Sequence, residues 1–159
     1  MVKKIKLVLP YLLVFVLIGC ISYMKKDLSG MDIFNNIVKS KQLLIRPMAI
    51  IKQKYFAYYD LVDIESEHYA LTLKDVKKKP DSYEILHANE GDQVVVESIV
   101  RRKIDQGFTV IIAAGRIYSK EKNDWVSFEY IWANTGEYRN APWPNQVSDS
   151  ALKRILEGE

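Results

Sequence analysis

The segments "GFTVIIAAGRIYS" at 107–119 and "WVSFEYIWA" at 125–133 decide the fold class of this chain. Both are rich in β-branched and aromatic residues, which are typical of strands, and the polar segment "KEKND" between them is typical of a turn. A third segment of this kind, "QVVVESIVRRKI" at 93–104, precedes them and is followed by the hairpin-type turn "DQG". Three successive strands with short polar connections predict an antiparallel meander.

The segment at 93–104 also fits a second interpretation. One helical face would be formed by Val95, Val96, Ile99, Val100 and Ile104. We predict a strand, because three consecutive valines favour extended backbone.

Upstream of the meander the same strand-like composition continues. We predict strands in "IIKQKYFAYYDLVDI" and in "HYALTLKDV", where Tyr69, Leu71 and Leu73 alternate with smaller or polar residues. The segment "KKKPDS" ends this run with turn-forming residues. A short strand in "SYEIL" and a loop in "HANEGD" complete the region before 93–104.

One helix is predicted on each side of these strands. Ser29 and Asp32 have the spacing of a helix-capping pair, so we expect a short helix over 31–43, and Pro47 disfavours helix at the residue before it. Ser148 or Asp149 is expected to cap a final helix through "SALKRILE". The predicted fold is therefore α+β: an N-terminal membrane segment, a short helix, an antiparallel β-meander or small partly open barrel, and a C-terminal helix.

The N-terminus has the features of an export signal. A positive segment, "MVKKIK", precedes the thirteen uncharged residues "LVLPYLLVFVLIG". The uncharged run continues to Met24, which makes 18 residues from Leu7, and this is the lower limit for a membrane-spanning helix. Length alone therefore leaves both a cleaved signal and an uncleaved anchor open.

The residues Leu17, Ile18, Gly19 and Cys20 resemble the lipobox of bacterial lipoprotein precursors. The resemblance implies that the Cys20 thiol is alkylated with diacylglycerol and that the chain is cleaved between Gly19 and Cys20. The alternative is a single-pass helix with Tyr23 at the membrane interface. Both interpretations place the bulk of the chain in the bacterial cell envelope, on the periplasmic or extracellular side.

The charge distribution argues against a nucleic-acid partner. The net charge of +3 arises from three lysines before Cys20, and the remaining 20 basic residues are balanced by 20 acidic ones. A neutral domain lacks the positive charge that binding to phosphate backbones requires.

We divide the chain into a signal or anchor over 1–24, a juxtamembrane linker with a short helix over 25–47, and one β-rich domain over 48–159.

Residues suited to catalysis are sparse. His68 and His87 are the only histidines, neither lies in a recognisable nucleophile motif, and the single cysteine belongs to the anchor segment. We therefore expect no catalytic residue and no cofactor.

The acid-rich segment "DLVDIESEH" is a weak candidate for a metal site. On a strand its acidic side chains would share one face, with a histidine nitrogen beside them. The candidate ligands are Asp63, Glu65, Glu67 and His68. The alternative, which we favour, is an ordinary solvent-facing charged segment.

Aromatic residues concentrate near the C-terminus. Tryptophan and tyrosine are common anchors at protein interfaces, and we identify as possible partner-binding residues Trp125, Trp132, Tyr138 and Trp143. The alternative is that these rings fill the core of the sheet. Trp143, held between two prolines, fits either role equally well.

The sequence favours a non-enzymatic, membrane-tethered envelope protein that binds a protein or a cell-wall component as an accessory or assembly part. A tethered inhibitor or immunity-type protein is the first alternative. A carboxylate-based hydrolase is the second, since acid and base carboxylates need no sequence motif.

Overall fold

A computed structural model describes residues 25–54, 59–104 and 108–158. These residues form a nine-stranded sheet, two α-helices, and short 3-10 turns at Asp32–Phe34 and Pro80–Ser82. The strands are β1 (Lys25–Asp27), β2 (Lys41–Leu43), β3 (Met48–Gln53), β4 (Tyr59–Asp63), β5 (Tyr83–Ala88), β6 (Gln93–Lys103), β7 (Thr109–Ser119), β8 (Asp124–Asn134) and β9 (Glu137–Tyr138). The helices are α1 (Glu67–Lys78) and α2 (Asp149–Glu157).

The predicted meander is confirmed. Strands β6, β7 and β8 pair antiparallel in succession, so the segment at 93–104 is a strand and not a helix. The sheet order is β1-β6-β7-β8-β4-β3-β5, with β2 also on β6 and β9 on β8. Strand β4 pairs parallel with β8, and the other strand pairs are antiparallel. The path ends at β1 and β5, so the sheet is open rather than closed into a barrel.

Gly115 allows the close approach of β6 and β7. A Cβ at this position would overlap the carbonyl oxygen of Val95 and would lie 2.9 Å from the Cα of Val96. Strand β6 carries a bulge between Val96 and Ser98 at the same level. A side chain larger than hydrogen therefore has no room here.

The two faces of the sheet are covered differently. The inner face carries the main core, which includes large aromatic side chains and Leu152, Ile155 and Leu156 of α2. Ser148 caps α2 as predicted, and Gly158 ends it in the left-handed conformation. On the outer face, Tyr69 of α1 packs against a small cluster of Ala49, Ile51 and Val62.

The predicted helix over 31–43 is wrong. Only one 3-10 turn forms, Lys39 adopts a positive φ of 61°, and the chain then enters β2. Asn35 and Asn36 favour turns over helix interiors, and the hydroxyl of Ser29 accepts a hydrogen bond from the Ile99 amide instead of capping a helix.

The segment 25–47 is also not a linker in the structure. It contributes β1 and β2 to the sheet. It also places four apolar side chains in the main core: Leu28, Phe34, Ile37 and Leu44. Among the described residues the packed fold therefore already includes 25–47 and does not begin at residue 48.

The strand predicted for "HYALTLKDV" is wrong as well, because these residues lie within α1. Ser66 caps this helix by accepting a hydrogen bond from the Tyr69 amide, and Lys77 and Lys78 occupy its last turn. The alternation of Tyr69 and Leu71 suggested a half-buried strand, yet Leu71 is exposed and only one side of the helix rests on the sheet. The turn predicted in "KKKPDS" is confirmed, because a 3-10 turn forms at Pro80–Ser82. Strand β5 is longer than predicted and extends through His87 and Ala88 into the predicted loop.

Over 25–54, 59–104 and 108–158, no helix has the length and apolar character needed to cross a bilayer. The predicted signal segment, the Gly19–Cys20 cleavage site and the "DQG" turn lie outside the described residues.

Candidate functional site

A polar cleft of about 580 Å³ opens where four parts of the fold meet. These are the connection between β2 and β3, the end of β4, the start of α1, and the β8–β9 hairpin with the chain that follows it. The lining residues are Arg46, Asp63, Glu65, Ser66, Glu67, His68, Leu71, Tyr130, Glu137, Arg139 and Asn140.

Arg46 joins two walls of the cleft. Its Nη2 donates to the carbonyl oxygen of Asn140 at 2.6 Å, and its Nε lies 3.0 Å from Oδ2 of Asp63. The neighbouring backbone is fixed too, because the Ile45 amide donates to the carbonyl of Pro142 at 2.9 Å. The guanidinium is only partly exposed, so this ion pair is a fixed part of the wall rather than a mobile surface contact.

Tyr130 brings the hydroxyl of a core residue to the floor of the cleft. The hydroxyl donates to the same Asn140 carbonyl at 2.9 Å. Burial raises the pKa of Tyr130, and the positive charge of Arg46 only partly opposes this rise. The phenol therefore stays protonated at neutral pH and acts as a hydrogen-bond donor.

A column of aromatic rings holds Tyr130 from behind. Its ring meets Trp143 edge-on at a centroid distance of 5.7 Å, Trp143 meets Trp132 at 5.6 Å, and Trp132 meets Phe34 at 6.0 Å. Such tilted and edge-to-face pairs are favourable beyond the area that they bury. The hydroxyl in the cleft is thus attached to a ring that packs among fully buried aromatic side chains of the core.

The β8–β9 hairpin supplies a second ion pair. Gly136 takes a φ of 119° in the turn, and the strand that follows places Glu137 and Arg139 on one side of the backbone. Arg139 contacts Glu137 through two nitrogens, at 2.8 Å from Nε to Oε1 and 3.3 Å from Nη2 to Oε2. The Arg139 hydrogen bond lowers the pKa of the Glu137 carboxyl, so that carboxyl remains ionised.

The acid-rich segment found in the sequence lies in this cleft, but not as a strand. Asp63 ends β4, its Oδ1 accepts a hydrogen bond from the Glu65 amide at 2.9 Å, and α1 begins at Glu67. The expectation that Asp63, Glu65 and Glu67 share one strand face is therefore wrong. Across the described ranges, no three His, Asp or Glu side chains converge to hold a metal ion.

The lining has a net negative formal charge. Four carboxylates face two guanidinium groups, with His68 as the remaining titratable nitrogen base among the lining residues. Each guanidinium already pairs with one carboxylate, which leaves the exposed Glu65 and Glu67 without an ion pair to any described residue. The cleft therefore presents cationic and anionic groups side by side.

The predicted aromatic anchors have two different outcomes. Trp132 and Trp143 are 0% exposed, so neither ring is available as a surface anchor, and their proposed role in direct partner binding is wrong. Trp125 is half-buried on the outer face, where its ring meets Tyr118 edge-on. Tyr138 is also half-buried, and for these two residues partner binding stays a prediction.

Several site residues were not identified from the sequence. Glu137 and Arg139 carried a usable signal, because residues two apart in a strand that follows a turn lie on one face. Arg46 and Tyr130 carried none, since they meet Asp63 and Asn140 only in the folded chain.

No protein-family model, curated protein or solved structure matches this chain.

Proposed function

We propose that this chain is a non-enzymatic protein of the bacterial cell envelope, tethered to the membrane by its N-terminal segment, that binds a short peptide in the polar cleft. The peptide belongs to a protein or a cell-wall partner and carries both carboxylate and amine groups. The observation that carries the proposal is that two arginine–carboxylate pairs, Arg46–Asp63 and Arg139–Glu137, line one cleft.

The unused hydrogen-bonding capacity of these groups matches such a peptide. A guanidinium has five N–H donors, and the contacts of Arg46 and Arg139 use only some of them. The remaining donors suit a ligand carboxylate, which guanidinium groups bind in a fork-like geometry. Glu65 and Glu67 suit a ligand ammonium group.

The electrostatics support binding over acid–base catalysis. A general acid that works near neutral pH needs a raised carboxyl pKa, whereas Arg139 lowers the pKa of Glu137. Among the described carboxyls, burial raises the pKa of Asp60. The positive charge of His68 opposes this rise, and Glu129 adds to it. Asp60 is not among the residues that line the cleft.

The tether is supported by the order of the segments along the chain. The uncharged run ends at Met24, and β1 begins at Lys25. We therefore propose lipid attachment at Cys20 after cleavage at Gly19, with an uncleaved helix over the same residues as the alternative. Labelling with radioactive palmitate tests this: the native chain should incorporate the label and Cys20→Ala should not. Incorporation by both chains, or by neither, contradicts attachment at Cys20.

The cleft is tested with disaccharide peptides released from bacterial cell wall by a muramidase, titrated calorimetrically into the full chain. Arg139→Gln removes one guanidinium and should weaken binding roughly tenfold, as expected for one lost charge-assisted hydrogen bond. Arg116→Gln is the matched control, since Arg116 pairs with Glu97 at 2.6 Å on an exposed surface away from the cleft.

The two variants must differ for the proposal to stand. Equal weakening by Arg116→Gln contradicts the assignment of the cleft. A native chain that binds none of the wall peptides contradicts a cell-wall ligand for it.

A further inference from the structure

One end of the outer sheet face is apolar and uncovered by any described element. Val100, Val110 and Ile112 form a buried cluster there. Their neighbours toward the end of the β6–β7 pair are exposed: Ile104 by 45%, Phe108 by 52% and Ile131 by 39%. Helix α1 covers a different part of this face, over β3 and β4.

The strand register makes these exposed side chains contiguous. The Ile104 amide donates to the Phe108 carbonyl at 2.7 Å, which places these two residues opposite each other. Ile112 is paired with Ile131 on the next strand. Residues opposite each other in antiparallel strands project to the same face, so the three exposed side chains border one patch.

Basic residues surround the same end of the sheet. Lys25 is paired with Arg102 and Lys26 with Arg101, and Lys103 follows on β6. The two arginines are engaged, because Arg101 donates to the Leu156 carbonyl and Arg102 pairs with Glu129. The three lysines are exposed and form no ion pair with the described residues. Lys25, opposite Arg102, projects to the face of the apolar patch, whereas Lys26, opposite Arg101, and Lys103, opposite Thr109, project to the other face of the sheet. We call the side chains of Lys25, Ile104, Phe108 and Ile131 the basic-apolar corner.

The path of the chain brings this corner to a membrane. Lys25 follows Cys20 by five residues. Five extended residues reach at most about 18 Å, so a lipid on Cys20 holds β1 that close to its bilayer. An uncleaved helix ending at Met24 holds it closer still. In both cases the tether enters the fold beside the basic-apolar corner, because β1 is paired with the end of β6.

We infer that the basic-apolar corner docks on the surface of the anionic phospholipid bilayer that tethers the chain; this inference rests on the proposed tether. Exposed aromatic and aliphatic side chains insert at the level of the headgroups, and a lysine on the same face, here Lys25, binds anionic lipid. The docked surface fixes the orientation of the domain relative to the membrane, which attachment at one point alone would not do.

The test uses the full chain, reconstituted through its N-terminal segment into phosphatidylglycerol vesicles whose acyl chains carry bromine, which quenches tryptophan fluorescence on contact. Phe108→Trp reports on the corner. Leu43→Trp is the matched control, since Leu43 is also 52% exposed but lies at the other end of β6, opposite Gln93. The distance between the two ends of β6 is roughly 33 Å at about 3.3 Å per residue.

We expect brominated lipid to quench the added fluorescence of Phe108→Trp and to leave that of Leu43→Trp unchanged. Lys25→Glu should reduce the docking equilibrium roughly fivefold or more, so quenching at position 108 should fall, whereas Lys103→Glu on the opposite face should change the quenching less. Equal quenching at the two positions, or quenching that is insensitive to Lys25→Glu, overturns the inference.

Flotation of the vesicles separates the two proposals. A chain that floats with the vesicles without quenching at position 108 keeps the tether and overturns the docking. A chain that does not float overturns both. A corner occupied by a second copy of the chain would show as lipid-independent dimerisation that Phe108→Asp abolishes, and that result also overturns the docking.

Discussion

Replacing Trp143 by alanine should strongly destabilise the fold. The side chain is 0% exposed, and its ring contacts both Tyr130 and Trp132. Truncation of a buried aromatic residue costs about 3–5 kcal/mol in the free energy of unfolding, and the loss of two edge-to-face pairs favours the upper end of this range. For a domain of this size the melting temperature should fall by roughly 10–20 °C.

Trp143→Phe should cost much less. The indole nitrogen of Trp143 has no hydrogen-bond partner among the described residues, so phenylalanine removes an unsatisfied donor and keeps an aromatic ring. The remaining cost is the smaller ring and the small cavity it leaves, about 1–2 kcal/mol. The difference between the two substitutions therefore measures the packing of the ring rather than any contact of its N–H group.

Thermal unfolding of the full chain in mild detergent, followed by circular dichroism, measures both effects. Trp125→Ala is the comparison, because that ring is half-buried on the outer face and its loss should cost about 1–2 kcal/mol. If Trp143→Ala destabilises no more than Trp125→Ala, then Trp143 is not a core residue and the aromatic column behind Tyr130 does not exist as described.

Two further predictions concern the sheet. Gly115→Ala forces a methyl group onto the Val95 carbonyl, so it should lower the free energy of unfolding by about 3 kcal/mol or prevent folding. Gly30→Ala is the control, because its methyl group meets no atom within 4 Å and should leave stability nearly unchanged. Equal melting temperatures for the two variants would refute the close approach of β6 and β7. Acidification should weaken the ion pair of Glu84 with Lys122, at 2.6 Å, because protonation removes the charge of the Glu84 carboxyl. The lysine hydrogen bond lowers the pKa of this carboxyl, so the ion pair stabilises the folded state. Its stabilisation is present above the carboxyl pKa of the unfolded chain and is lost as pH falls through the lowered value. Because both side chains are more than a third exposed, the loss should stay below about 1 kcal/mol, and Glu84→Gln should remove this part of the acid dependence in melting curves between about pH 7 and pH 3.

The meander was predictable because its signal is long and redundant. Strands β6, β7 and β8 each span 11 residues, and along β8 the inward side chains of Val126, Phe128 and Tyr130 alternate with more exposed ones. A pattern repeated over several periods outweighs a local ambiguity, such as the helical spacing at 93–104.

Short segments gave no such redundancy. The apolar residues at 33, 34, 37 and 38 fit a helix, yet Phe34 and Ile37 are buried while Ile33 is 43% exposed, because a single 3-10 turn orients them differently. Contacts with β6, such as that from Ser29 to Ile99, decide the conformation here. Tertiary contacts of this kind leave no mark in the local sequence.

The candidate site was predictable only where its residues are close in the chain. The segment from Asp63 to His68 was singled out for its charge, and it does line the cleft, although through a tight turn and a helix start instead of a strand. Arg46 lies 17 positions before its partner Asp63 and 94 before Asn140, and no sequence pattern links these three. Their meeting is a consequence of the sheet order, which places β3 beside β4 and β4 beside β8.

A single irregularity in β8 connects the aromatic core to the polar cleft. Ile112 is paired with Ile131 and Ile111 with Ala133, so Trp132 is one extra residue between them, a β-bulge. The bulge lets both Trp132 and Ala133 face the core on consecutive positions, which a regular strand does not allow. It also shifts the alternation by one residue before the β8–β9 turn, and thereby determines which side of the hairpin carries Glu137. The same extra residue therefore completes the ring column behind Tyr130 and directs the second ion pair toward the cleft, so the core and the candidate site are parts of one arrangement.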